Sequence, residues 1–188
     1  MSTETKTART LPVHYGYVIA FTGLLVMLSA QGLGRFAYPT ILPSMRDSLA
    51  LTYTQTGLLA TVNSLGYLVS SLFIGQLVIR FGSRWIIASG TFVTSLGMLA
   101  MSWIPNYTAA VLLQLLVGAA SGCAATPIMA LPSAWFAARR RGTATGIVAG
   151  GGGLGFVASG VLLPPIIAAD SANGWRQAWL LLGAAVFV

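Results

Sequence analysis

The stretch GQLVIRFGSR, residues 75–84, lies between two long apolar segments and places two arginines, Arg80 and Arg84, between them. The rest of the 188-residue chain is 56% hydrophobic and only 7% charged, with 22 glycines, whereas soluble domains have about 25% charged residues. This composition excludes a disordered tail, a collagen-like rod and an ordinary cytosolic enzyme. It indicates a polytopic membrane protein in which residues 75–84 form a short turn between two spans.

Apolar segments long enough to cross a bilayer recur along the chain. A hydrocarbon core of about 30 Å needs about 20 helical residues at about 1.5 Å each. Five stretches meet that length: Tyr15–Ser44, Tyr53–Ile79, Trp85–Ile104, Tyr107–Trp135 and Thr143–Ala169. A sixth begins at Trp175 and ends with the chain at Val188, so it covers only about 21 Å. We therefore expect the last helix to be truncated and the chain to be a fragment or half of a larger unit.

The basic residues predict how these spans are oriented. If residues 1–14 form a cytoplasmic tail, seven basic residues fall on the cytoplasmic side: Lys6, Arg9, Arg80, Arg84, Arg139, Arg140 and Arg141. Only Arg46 and Arg176 fall on the outer side. The positive-inside rule then predicts a multi-pass protein of the cell (inner) membrane with a cytoplasmic N-terminus. The triplet at 139–141 is interpreted as a topology-determining loop, and the net charge of +7 as no sign of nucleic-acid binding.

An internal repeat appears when the chain is shifted by 89 residues. Residues 42–70 and 131–159 share nine identities in 29 positions, against about three expected by chance for this composition. Three spans separate the copies, so the second copy has inverted topology, as in many secondary transporters. The sequence thus predicts an all-α membrane protein, a six-helix bundle of two inverted three-helix repeats, residues 15–104 and 105–188.

The turn at residues 75–84 also carries a family resemblance. Gly75, Arg80, Gly82 and Arg84 match the loop after the second helix of the major facilitator superfamily, and the chain resembles the N-terminal six-helix half of its twelve-helix transporters. The resemblance implies a gating role for this loop. The position of the family's acidic residue holds Ile79, so the latch formed by that acid is weakened or rebuilt here.

Further positions qualify the resemblance. The arginine usual in the fourth helix is replaced by Gln114, so the resemblance does not imply here the coupling role that the family assigns to that arginine. The run from Trp135 to Gly146 is similar to the monocarboxylate and oxalate/formate branch, which implies an organic anion as substrate. The acids Glu4, Asp47 and Asp170 all fall in loops or at span ends, so no carboxylate inside a span is available to carry a proton.

Arg35 is the candidate anion contact. A charge inside the hydrocarbon is costly and by default faces a cavity or a partner, and a guanidinium suits a carboxylate or phosphate. Gln31 and Tyr38 lie about one turn before and after it, and the three could bind one substrate group. The alternative is that Arg35 extends to the outer interface beside Tyr38, with Pro39 and Pro43 ending the regular helix early.

Asn63 and Tyr67, spaced i, i+4, form a second candidate face of the substrate cavity, and Gln114 a third contact. Hydrogen bonding between helices is the alternative for all of these polar residues.

The remaining motifs predict helix packing. Small residues spaced by four allow close approach of membrane helices, and six glycines have that spacing: Gly118, Gly122, Gly146, Gly150, Gly151 and Gly155. Gly150, Gly152 and Gly155 also satisfy a dinucleotide-binding pattern, but that motif requires a strand followed by a helix. The single cysteine, Cys123, argues against a thiolate metal site, and no catalytic constellation appears. We predict no metal, no cofactor and no enzymatic activity.

These observations predict a secondary transporter of a small organic solute, working by alternating access in the lipid bilayer with a missing C-terminal half or a partner subunit. Two alternatives stay open. One is a drug or metabolite efflux carrier, which a cavity-facing Arg35 disfavours for cationic cargo. The other is a half-size membrane module, such as a sensor or assembly subunit, that does not transport.

Overall fold

The computed structural model describes residues 15–170 and 173–187, and all regular secondary structure within them is helical. The helices are α1 (Tyr15–Met27), a π-helical segment (Leu28–Leu33), α2 (Tyr38–Ser48), α3 (Tyr53–Phe81), α4 (Ser83–Met101), α5 (Tyr107–Trp135), α6 (Ala138–Ala169) and α7 (Gly174–Phe187). The predicted cytoplasmic tail, with Lys6 and Arg9, and the terminal Val188 lie outside the described residues.

Five helical stretches are long and apolar enough to cross a membrane, as predicted. The first runs from Gly16 to Ser48 and is interrupted by the π-helical segment. It continues past its predicted end at Ser44 to Ser48: Pro39 lies in the first turn of α2, where a missing N–H removes no hydrogen bond, and Pro43 lies inside the helix without ending it. The prediction that Arg139–Arg141 form a loop was wrong, since they lie in the first turn of α6.

Side-chain caps keep the connections short. Thr52 caps α3: its hydroxyl accepts a hydrogen bond from the Gln55 N–H at 3.2 Å, and its own N–H donates to Gln55 Oε1 at 2.8 Å. Asn106 Oδ1 accepts from the Ala109 N–H at 2.9 Å and caps α5. Such pairings satisfy N–H groups that the first helical turn leaves free. Because the connections between the spans are short, consecutive spans alternate in direction.

Interhelical contacts give the relative directions of α3 and α5. Asn63 bonds Gln114 in the first half of both helices, and Ser71 bonds Thr126 at 3.2 Å in the second half of both. The two helices are therefore parallel, and their C-terminal ends lie at one end of the bundle. Arg80, at the end of α3, and the arginine triplet that follows α5 share that end, which we call the basic end.

The outer pair of helices, α4 and α7, is antiparallel. Ser95 Oγ donates to the Gly183 carbonyl at 2.8 Å, whereas Arg176, at the start of α7, donates to the Ser102 carbonyl at 2.7 Å near the end of α4. Arg176 therefore lies at the opposite end of the bundle from the basic end.

Two glycines show the inverted repeat directly. Gly66 of α3 and Gly155 of α6 are 89 residues apart, and each lies at a helix crossing where a side chain would not fit. A Cβ on Gly66 would overlap the Leu115 carbonyl of α5, and one on Gly155 would lie 2.7 Å from the Leu28 carbonyl of the π-helical segment. The crossings of α3 with α5 and of α6 with the first span are thus equivalent. The predicted bundle of two inverted three-helix repeats is confirmed.

Candidate substrate site

Arg35 lies in the turn between the π-helical segment and α2, and its guanidinium reaches α3. Nη2 donates a hydrogen bond to Ser64 Oγ at 3.1 Å, and Cζ lies 4.6 Å from the centroid of the Tyr67 ring. Both contacts are with neutral groups. They hold the guanidinium in place through a cation–π contact and one hydrogen bond, and they leave its charge uncompensated.

The contacts of Arg35 also fix its depth along α3. Ser64 lies 11 residues after the start of α3 at Tyr53, and Tyr67 lies 14 residues before its end at Phe81. At about 1.5 Å per residue these separations are about 16 Å and 21 Å. Arg35 therefore lies near the middle of the span, and it does not reach the outer interface as the alternative interpretation required.

The acids of the described residues lie elsewhere. Asp47 pairs with Arg46 at 2.7 Å, and Asp170 follows the last residue of α6. Across residues 15–170 and 173–187, Arg46–Asp47 is the one ion pair. The Arg35 guanidinium is thus half-buried at mid-span without an acid beside it, and an unpaired charge away from water is costly.

The π-helical segment brings Gln31 to the same place. The Gln31 carbonyl accepts hydrogen bonds from both the Arg35 N–H (3.2 Å) and the Phe36 N–H (3.0 Å). The bond to Phe36 spans five residues, so the helical turn here contains one residue more than an α-helical turn. The Gln31 side chain then reaches α3, where Nε2 donates to the Tyr67 hydroxyl at 3.5 Å. Its Oε1 is buried and has no hydrogen-bond partner among the described residues. π-Helical turns occur frequently at functional sites.

Tyr38 is not brought together with Arg35 and Gln31. Its side chain is buried, its hydroxyl donates to the Thr56 carbonyl at 3.1 Å, and its ring packs in the main apolar cluster. Tyr38 connects α2 to the start of α3 and is not exposed to a cavity.

Asn63 and Gln114 form a buried pair between α3 and α5. Asn63 Nδ2 donates to Gln114 Oε1 at 2.9 Å and to the Gln114 carbonyl at 3.2 Å. Their geometry is that of interhelical hydrogen bonding. Ser64, which contacts Arg35, is the site residue that sequence reasoning missed; its only signal was its place three residues before Tyr67.

The predicted gating loop is a tight turn between α3 and α4. Gly82 has φ of +81°, in the left-handed region that favours glycine, and its N–H donates to the Val78 carbonyl at 2.8 Å. Arg80 lies 5.4 Å from the Phe81 ring, and Ile79, at the family's acidic position, is 88% exposed. Arg84 is exposed, and a Cβ added to Gly75 would meet nothing within 4 Å, so neither residue lies where two helices of the bundle cross.

The six predicted packing glycines separate into two groups. A Cβ on Gly118 would overlap the Asn63 carbonyl, one on Gly122 the Ser70 hydroxyl, and one on Gly151 the Leu24 carbonyl. With Gly155, these glycines permit close crossings within the bundle. The other two, Gly146 and Gly150, face outward, with nothing within 4 Å of an added Cβ.

A cavity of about 940 Å³ lies apart from Arg35, between α1, α4, α5 and the C-terminal part of α7. Its lining is mostly apolar, and Arg84 lies at one edge. Among the described residues, there is no group of three or more His, Cys, Asp or Glu side chains that could hold a metal ion.

Comparison with known proteins supplies relatives for this arrangement. The chain is 29% identical over 141 residues to the probable L-galactonate transporter of Escherichia coli K12, covering 74% of this chain and 30% of that protein. It is 26% identical over 150 residues to the hexuronate transporter of Bacillus subtilis 168, covering 80% and 35%. A probable chloroplastic anion transporter of Arabidopsis thaliana is 31% identical over 125 residues, covering 65% and 24%.

The chain spans about a third of the length of the curated relatives it matches, which are named as transporters. The sequence profile described as the Major Facilitator Superfamily matches residues 24–188, nearly the whole bundle. This chain belongs to the Major Facilitator Superfamily.

Proposed function

We propose that this chain is the N-terminal half of a secondary transporter that moves a small organic anion, with Arg35 as the anion contact. Alternating access would expose the cavity face of the first span and α3 to either side of the membrane in turn. Gln31 and Tyr67 would contribute an amide and a phenol beside the guanidinium. Asn63 and Gln114 would support this face from behind by joining α3 to α5.

One observation carries the proposal: the Arg35 guanidinium lies at mid-span among neutral partners, with Ser64 and Tyr67 holding it. A carboxylate would supply the missing counter-charge, and the planar fork of the guanidinium can bind both oxygens of a carboxylate. A cationic cargo would instead be repelled. The names of the relatives, which include transporters of L-galactonate, hexuronate and anions, support the same class of substrate.

A second six-helix half is part of the proposal. The relatives are about three times longer than the matched segment, and Gly146 and Gly150 present an open face of α6 that a further helix could approach closely. The loop of Gly75, Arg80, Gly82 and Arg84 would then contact the other half as it moves. We expect no solute flux from this chain alone in proteoliposomes. Flux equal to that of a complete twelve-helix protein would refute the proposal that a second six-helix half is required.

The basic end would face the cytoplasm of the cell's inner membrane, since Arg80 and Arg139–Arg141 share it. With Cys123 replaced by alanine, a cysteine at Ala138 should react with an impermeant maleimide only from the cytoplasmic side of a vesicle, and one at Thr54 only from the opposite side. Labelling of both positions from one side would contradict the topology.

Ligand-dependent stability of the purified chain tests the substrate class. An anion that binds the folded bundle stabilises it by RT ln(1 + [L]/Kd). At 50 mM ligand and a Kd of about 10 mM this is about 1 kcal/mol, a measurable shift in unfolding temperature. Galactonate and glucuronate should give such a shift, and galactitol and choline at equal ionic strength should not. Equal shifts from galactitol would refute the anion proposal.

A further inference from the structure

A second, smaller cavity lies at the basic end, far from Arg35 along the helices. It has a volume of about 230 Å³ and opens between α1 and the first turns of α6. The side chains that line it include Tyr17, Ala20, Phe136, Arg140, Thr143 and Ile147.

The polarity of the cavity changes along α6. Arg140 and Thr143, both exposed, lie in the first two turns of α6, and Ile147 lies seven residues after Arg140, about 10 Å deeper along the helix. The floor is made of small buried side chains, Ala20 and Ala144, which are 3% and 2% exposed. The cavity thus has a cationic and hydroxylated mouth at the end of the bundle and an apolar groove that extends into the span.

The charge at the mouth is positive, and neither acidic residue in the part of the chain that the structure describes lies near it. Arg141 Nε donates to the Phe136 carbonyl at 3.0 Å, which fixes Arg141 to the end of α5, whereas Arg140 lines the cavity. No side chain caps the first turn of α6, because residue 137 is an alanine, so the positive end of the helix dipole adds to the charge of Arg140. The two acidic residues of the described ranges lie at the other end of the bundle, Asp47 in the last turn of α2 and Asp170 directly after α6.

We propose that this cavity binds the phosphate of an anionic phospholipid from the adjoining leaflet. Arg140 and the Thr143 hydroxyl contact the phosphate, and the upper part of an acyl chain lies along Ala20, Ala144 and Ile147. The volume equals that of roughly eight water molecules at about 30 Å³ each, which suits a phosphate and its glycerol rather than a whole lipid. Basic pockets between membrane helices bind anionic headgroups in this way.

The apolar groove favours a lipid over a soluble phosphate. A free phosphate would bury its charge beside Ala20 and Ile147 without any apolar group of its own to fill the groove, whereas a phospholipid matches both parts. The single arginine at the mouth also favours a monoanionic phosphodiester.

Native mass spectrometry of the purified full chain in detergent tests the proposal. The chain is titrated with phosphatidylglycerol or with phosphatidylcholine, and the fraction carrying one lipid is measured. We expect preferential binding of phosphatidylglycerol and a loss of about fivefold or more in affinity for Arg140→Gln. The matched control is Arg139→Gln, which removes the same charge one residue away without changing the cavity lining, and it should lose less than twofold.

Three outcomes would overturn the proposal. Equal binding of the two lipids would mean that the cavity does not recognise an anionic headgroup. Equal losses for Arg140→Gln and Arg139→Gln would mean that binding depends on the total charge of this end and not on Arg140 in the cavity. Competition by soluble glycerol 3-phosphate at lipid concentrations would mean that the ligand is a soluble phosphate. Thr143→Val gives a second variant, expected to weaken phosphatidylglycerol binding severalfold while the unfolding temperature stays unchanged.

Discussion

Replacing Arg35 by glutamine should have opposite effects on anion binding and on the stability of the ligand-free chain. A hydrogen bond to a charged group contributes about 1.5–3 kcal/mol, which corresponds to about 13- to 160-fold in a dissociation constant. Loss of the guanidinium–carboxylate contact should therefore weaken binding of a sugar acid by at least tenfold. Arg35→Lys keeps the charge and loses the planar fork, so it should fall between the wild type and the glutamine variant.

The effect on stability has the other sign. Arginine at the centre of a membrane span costs about 2.5–3.5 kcal/mol. The contacts of Arg35 with the Ser64 hydroxyl and the Tyr67 ring recover part of that cost, about 0.5–1 kcal/mol for the cation–π contact and about 1 kcal/mol for the hydrogen bond. A neutral glutamine avoids the charge penalty and can still reach Ser64. We expect Arg35→Gln to stabilise the ligand-free bundle by about 1 kcal/mol.

Thermal unfolding of the purified chain with and without 50 mM galactonate measures both effects in one experiment. The glutamine variant should unfold at a higher temperature than the wild type without ligand and should gain nothing from ligand. A binding site that stores an unpaired charge shows this exchange of stability for function. If Arg35→Gln lowers the unfolding temperature and keeps the ligand shift, then Arg35 is a structural residue and the reasoning is refuted.

Two further predictions concern the helix crossings, and unfolding in an SDS titration measures both. Gly118→Ala should destabilise the bundle by about 1–3 kcal/mol because its Cβ would overlap the Asn63 carbonyl. The control Gly146→Ala should stabilise the bundle by up to about 1 kcal/mol through helix propensity. Equal effects would contradict the assignment of Gly118 to a helix crossing and of Gly146 to an open face. Asn63→Leu should cost about 1 kcal/mol, and Gln114→Leu in the same chain should add little, because the pair is already lost; fully additive costs would mean that the two side chains act independently.

Much of the fold could be predicted from hydropathy because span length is set by the bilayer. The bounds of α5, Tyr107–Trp135, agree with prediction, since Asn106 marks its start and an extended Phe136 its end. The interruption of the first span was missed. Leu28–Leu33 is apolar enough for an uninterrupted helix, and only the glycines at 32 and 34 hint that the backbone departs from α-helical geometry there.

The candidate site was predicted in part because helical spacing places residues on a face but does not say which face meets which helix. Gln31 and Arg35 were grouped by one helical turn, and the structure brings them together with Tyr67. The same argument grouped Tyr38, but the irregular turn between the π-helical segment and α2 rotates Tyr38 into the core. Contacts across the bundle, such as Arg35 with Ser64, depend on tertiary packing and leave no local pattern.

The inverted repeat explains why the polar site lies on one side of the bundle only. Asn63, which joins α3 to α5, has Gly152 as its equivalent 89 residues later in α6, so the second crossing has no polar side chain at that position. A Cβ added to Gly152 would lie 3.6 Å from Gln31 Cβ and 3.9 Å from the Phe36 ring. These are ordinary van der Waals distances, so an alanine would fit at Gly152, whereas a side chain as long as asparagine would extend toward Gln31 of the π-helical segment. Two copies of one backbone arrangement thus differ in their polar groups: one crossing is joined by an amide pair, and the other places glycine against the segment that carries Gln31 and precedes Arg35.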